Sequence, residues 1–114
     1  MAVDAVSAAD RGATDIADRV VAKIAAHAAR EALGELPEDA HAPRATVTVD
    51  RDRARVRISL ELGYPGDIGA QCREVRRQVA ERVSALAGMR VPEVAVQVER
   101  LHSAHTRRDR GRLR

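Results

Sequence analysis

Three stretches of the chain alternate between apolar and polar residues. Ala45, Val47 and Val49 are interleaved with Thr46, Thr48 and Asp50, and Val56, Ile58, Leu60 and Leu62 with Arg55, Arg57, Ser59 and Glu61. Near the C-terminus Val94, Val96 and Val98 repeat the pattern. A period of two marks a strand with one dry and one wet face. The first two stretches are joined by the polar turn Asp50-Arg51-Asp52-Arg53, which predicts an antiparallel hairpin. Two other stretches follow the helical period. Ile16, Val20, Ile24 and Ala28 recur every four residues, with Val21 and Leu33 beside them, up to Gly34. Ile68, Cys72, Val75, Val79, Val83 and Leu86 mark one face of a second helix, which Asp67 can cap and Gly88 ends. The hinge Met89-Arg90-Val91-Pro92-Glu93 then leads into a last strand over residues 93–101.

The predicted order is α-β-β-α-β, or β-α-β-β-α-β if Ala13-Thr14-Asp15-Ile16 adds a short opening strand. In the α/β and α+β classes this order suits a two-layer sandwich, with two helices packed on one face of a small mixed sheet. Residues 1–11 are small and polar and read as a flexible leader, with Gly12 closing the stretch. Residues 12–101 form the domain, and residues 102–114 read as a disordered, Arg-rich tail.

Composition narrows the functional classes. With one Tyr and no Phe or Trp among 114 residues, the core must come from Val, Ile, Leu and Ala, which bury less area than rings. No apolar run approaches the roughly 20 residues of a membrane-spanning helix, and no secretory signal opens the chain. A lone Cys fits a reducing compartment, so a cytoplasmic location is expected. Residues 100–114 carry six Arg against one Asp, a balance of +5, while residues 1–99 carry 14 basic and 16 acidic groups, a balance of −2. The basicity therefore belongs to the tail.

Candidate chemistry is sparse. Cys72 keeps register with Ile68, Val75 and Val79 and is expected to be a core thiol rather than a nucleophile. His102 and His105 stand three apart without a carboxylate or Cys cluster, and read as incidental tail histidines rather than metal ligands. His27 and His41 have no partner at ligand spacing. Glu61 falls on the wet side of its strand, and no pair of carboxylates suggests acid–base work. Gly63-x-x-Gly66 is followed by Asp67, whose charge opposes a phosphate there. No catalytic, cofactor-binding or metal residue is assigned, and no cofactor is expected. Arg51, Arg53, Arg55 and Arg57 could form a basic stripe for nucleic acid, but stacking aromatics are missing apart from Tyr64. The open sheet also has edges that another chain could extend.

Three stretches carry a resemblance. They are Ile16-Ala17 through Ala28-Ala29-Arg30-Glu31; the strand ending Leu60-Glu61-Leu62-Gly63-Tyr64 with the Val75/Val79/Val83 helix; and Leu86-Ala87-Gly88-Met89-Arg90-Val91-Pro92-Glu93-Val94 through Val98. Over residues 12–101 the chain resembles the alkaline shock protein family of Gram-positive bacteria, the envelope stress response proteins, with a composition that suits an actinobacterial member. The resemblance implies a small non-catalytic scaffold or interaction module at the cytoplasmic side of the envelope. It would be held by a membrane-embedded partner protein and capable of self-association, without a small-molecule substrate. The chain departs from the family in its short Pro-containing loop before the first strand and in Tyr64-Pro65-Gly66, where many members have Tyr-Gly. The expected partner contacts are Arg55, Arg57 and Glu61 on the sheet, the Tyr64-Pro65-Gly66 turn, and Arg107 and Arg108 in the tail. The alternative is a small nucleic-acid-binding module using the Arg-rich hairpin and tail.

Overall fold

Among the residues described by the computed structural model, the backbone of 2–103 and the side chains of 17–103, the chain forms α1 (Ala2–Leu33), β1 (Arg44–Asp50), β2 (Arg53–Tyr64), α2 (Ile68–Ala87) and β3 (Arg90–Ser103). The sheet order is β1-β2-β3. β1 and β2 are an antiparallel hairpin, while β2 and β3 run parallel and are joined by the crossover helix α2. The fold is α+β with a mixed sheet, as the patterning predicts.

Local chemistry sets the element ends. The Asp67 carboxylate accepts the Ala70 N–H at 2.9 Å and so satisfies one free donor of the first turn of α2. Gly88 ends that helix at φ 65°, where its N–H donates to Ser84 O at 3.0 Å; a left-handed residue of this kind is cheapest as glycine. Between β1 and β2 only Arg51 and Asp52 make the turn, because Asp50 already pairs with Arg53. Arg51 sits at φ 59°, a region that costs an L-residue with a Cβ roughly 1–2 kcal/mol. Arg51→Gly is expected to stabilise the domain by roughly 0.5–1 kcal/mol, after the greater freedom of glycine in the unfolded chain is subtracted. Urea unfolding checks this, and a loss of stability would contradict it.

The core lies between the helices and one face of the sheet. α1 supplies Val21, Ala25, Ala28 and Ala29; α2 supplies Val75, Val79 and Val83; β2 supplies Ala54, Val56, Ile58, Leu60 and Leu62. Val56, Ile58 and Leu60 stand beside Val94, Val96 and Val98 of β3, so one apolar row crosses both strands. On the edge, the Asp18 carboxylate accepts the Val49 N–H at 3.1 Å, occupying an outward-facing donor of β1. Glu31 of α1 pairs with Arg82 of α2 across the helix interface.

Four expectations need correction. The segment Ala13–Ile16 is not an opening strand, and the positions expected as a leader are helical: α1 runs unbroken from Ala2. A single Gly12 costs a helix only about 1 kcal/mol, and the Ala-rich flanks favour continuation. The buried stripe of α1 is also rotated from the one predicted. Val20 is 51% exposed, whereas Val21 and Ala28 are buried as predicted and Ala25 and Ala29 join them, small residues that let α1 approach its neighbours closely. β3 begins at Arg90 rather than 93, shortening the hinge to Gly88-Met89, with Pro92 inside the strand. The ladder skips between Arg90 and Glu93, and β3 is an edge strand, so the missing N–H of Pro92 breaks no regular pairing. Finally, β3 reaches Ser103, so His102 belongs to the sheet and not to a tail.

Candidate functional site

On the helix-free face the register builds a grid. Thr46 and Thr48 of β1 lie beside Arg57 and Arg55 of β2, which in turn face Ala95 and Glu93 of β3. All six are exposed, as the alternation requires once the opposite face is buried. A depression of about 500 Å³ lies over Thr48, Asp50, Arg53, Arg55, Pro92 and Glu93, and one of about 320 Å³ continues towards Thr46 and Arg57. Arg55 and Arg57 are therefore brought together as expected, in a face where Glu93 and Asp50 temper the positive charge. The face is a polar platform suited to hydrogen bonds and ion pairs with another macromolecule.

Glu61 is the principal correction at the site. It shares the strand face of Arg55 and Arg57 by alternation, yet it is only 7% exposed and is the one buried charged residue among those described. Two things cover it. The parallel ladder pairs Leu60 with Val98 but Glu61 with Arg100, so Glu99 is an extra residue in β3, a bulge that shifts the phase of everything after it. That shift leaves His102 well covered, with its Nε2 at 2.5 Å from Glu61 Oε1. The loop between α1 and β1 then brings His41 Nδ1 to 2.8 Å from Glu61 Oε2. The carboxylate accepts from both rings. These bonds, from His102 first and His41 second, hold its carboxyl down at about 2, against an ordinary 4.5.

The bulged Glu99 also takes part. Both its carboxylate oxygens accept from the single Nη2 of Arg44 in β1, at 3.0 and 3.2 Å, so an ion pair spans the sheet beside Ser59. This end of the platform is thus closed by polar contacts, and Glu61 holds the loop in place rather than meeting a partner. The histidine pair is not apparent in the sequence, because its members lie 61 residues apart and on opposite sides of Glu61. One trace was present: after Val94, Val96 and Val98 the next apolar residue is Leu101, a step of three that signals a bulge.

Beyond Glu61 the chain turns through Gly63-Tyr64-Pro65-Gly66, with a cis peptide before Pro65. Tyr64 is 54% exposed and Pro65 and Gly66 are exposed, so the expected turn contacts are accessible. They line a groove of about 410 Å³ with Leu36, Pro37 and Gln71. Cys72 is half-buried and packs on the core, as expected of a structural thiol. Among the described residues no three His, Cys, Asp or Glu side chains form a group that could hold a metal ion. Arg107, Arg108 and His105 lie outside the described residues. The chain matches no protein-family model and no curated protein.

Proposed function

We propose that this domain is a non-catalytic interaction module, a small scaffold of the envelope stress response that works at the cytoplasmic side of the cell membrane. The observation that supports it most is the uncovered polar platform of Arg55, Arg57, Thr46, Thr48 and Glu93, a broad face with shallow relief rather than an enclosed reaction chamber. The family resemblance over residues 12–101 supplies the envelope setting. No described helix is long and apolar enough to cross a membrane, and in this reading a membrane-embedded partner protein provides the anchorage. Self-association would use the outer edge of β3, which pairs with β2 on one side only.

The test is affinity capture of the full chain from its native cells at physiological salt, with half of each sample treated with nuclease. The wild type is expected to retain a membrane protein in both halves. The Arg55→Glu/Arg57→Glu double variant reverses four units of charge on one face and is expected to lose that protein while melting at an unchanged temperature, since both side chains are exposed. Undiminished capture by the folded double variant would sink the proposal. Loss of every partner after nuclease treatment would put the nucleic-acid-binding alternative in its place.

A further inference from the structure

The groove at the Tyr64 turn differs in chemistry from the platform. Its walls are Leu36, Pro37, Tyr64 and Pro65, and Glu35 stands at its rim. Among the described residues no Lys or Arg lines it, in a chain where Lys and Arg outnumber Asp and Glu by 20 to 17. His102 also borders it, but its Nε2 is committed to Glu61. At its inner wall Gln71 Oε1 is buried and has no hydrogen-bond partner among the described residues. A buried acceptor left unpaired carries a desolvation cost that an incoming donor can recover. Gly66 packs directly against that oxygen, since a Cβ there would come within 3.9 Å of it and 3.3 Å of Gly63 O, and a rotation of the Gln71 side chain into the groove would present the acceptor to a ligand. The N-terminal end of α2, which would repel a cation, is already answered by the Asp67 carboxylate on Ala70 N–H.

An aromatic face, proline walls, one carboxylate and one unmet acceptor describe a receptor for a planar cation with several N–H donors. We infer that the groove takes an arginine side chain presented by a partner polypeptide, its guanidinium stacking on Tyr64, pairing with Glu35 and donating to Gln71 Oε1. Lysine fits less well, because a point charge cannot stack and its donors are not held in a planar fork. The inference rests on the interaction-module reading and gives one part of the partner's surface a definite chemistry.

Tyr64 is the chain's only aromatic residue, so its ring signals and its fluorescence report this groove alone. The full chain is titrated with a blocked tripeptide carrying a central arginine, and with the same tripeptide carrying citrulline, which keeps the shape and removes the charge. Saturable movement of the Tyr64 ring signals by the arginine peptide is expected, with citrulline weaker by about threefold or more. Glu35→Gln is expected to weaken the arginine peptide comparably. Gln71→Leu, which removes the unpaired oxygen, is expected to melt no lower than the wild type yet also to lose affinity. Equal binding of the two peptides, or no saturable movement, overturns the inference. A third arm replaces Arg107, Arg108, Arg110, Arg112 and Arg114 with Ser in the full chain. If that alone moves the Tyr64 signals, the chain's own segment fills the groove, and a partner's arginine is overturned as the occupant. Should the Arg55→Glu/Arg57→Glu variant lose its partner while the peptide leaves Tyr64 unmoved, the interaction module stands and only the arginine site falls.

Discussion

Ile58→Ala is expected to destabilise the domain by about 2–5 kcal/mol, the largest effect of any single substitution considered for this chain. Ile58 sits on the central strand at 0% exposure, between Ala45 of β1 and Val96 of β3 and beneath the helices. Truncation removes the burial of three carbons and leaves a cavity in a core built mostly of Ala and Val. Short, branched side chains have little reach to refill such a space, and no Phe or Trp stands by to swing into it. A domain of this size commonly has only about 5–15 kcal/mol in total, so the loss would be a large part of it. Thermal unfolding checks the expectation, with a fall on the order of 10 °C or more. Val20→Ala is the control: its side chain is half exposed, and the change should stay within about 0.5 kcal/mol. Equal losses at the two positions would mean that the core lies elsewhere.

That contrast also shows how far the sequence could be read. The dry faces of β1 and β2 follow directly from alternation, because a period of two leaves no choice of which side Val47, Val56, Ile58 and Leu60 share. The caps of α2 were equally legible, since Asp67 and Gly88 act on neighbours within four residues. The first helix was harder. Val20 outranks alanine on any hydrophobicity count yet is half exposed, while Ala25 and Ala29 are fully buried beside Val21 and Ala28, because helix approach is limited by size as well as by transfer energy. The polar end of the sheet was not legible at all. Its arrangement needs a bulge at Glu99, a loop that returns His41 over the strand end, and a strand that continues past the last alternating valine to His102. Each is a tertiary event, and only the three-residue step from Val98 to Leu101 leaves a mark in the pattern. The result is that Arg55 and Arg57 kept the exposed role their strand positions imply, while Glu61, two positions beyond Ser59 on the same face, became part of the scaffold.

The second large effect follows from that change of role. Glu61→Gln should make the folded state less stable than the wild type at neutral pH, and the difference should close as the pH falls. In the folded chain the carboxylate of Glu61 accepts from both His102 and His41 and titrates at about 2, well below its ordinary 4.5. A folded value below the unfolded one means that the ionised form favours folding. The contribution is therefore complete above 4.5 and is lost as the pH falls through about 2. An amide at the same position offers one acceptor oxygen in place of two, carries no charge and does not titrate, so the charge-assisted bonds to the two rings are lost. Glu74, held near 2 by Arg77 and Gln78, loses stabilisation over the same range, and Glu31, lowered by its bond to Arg82, also loses stabilisation in acid. They are present in both proteins and cancel from the comparison. Urea unfolding of wild type and variant from pH 7 down to pH 2 reads the difference directly. It should shrink steadily as the pH falls below 4.5. A gap that persists unchanged to pH 2 would mean that Glu61 is not the ionised acceptor of the two histidines. A gap absent at neutral pH would mean that the loop carrying His41 is held over the sheet by something other than this carboxylate.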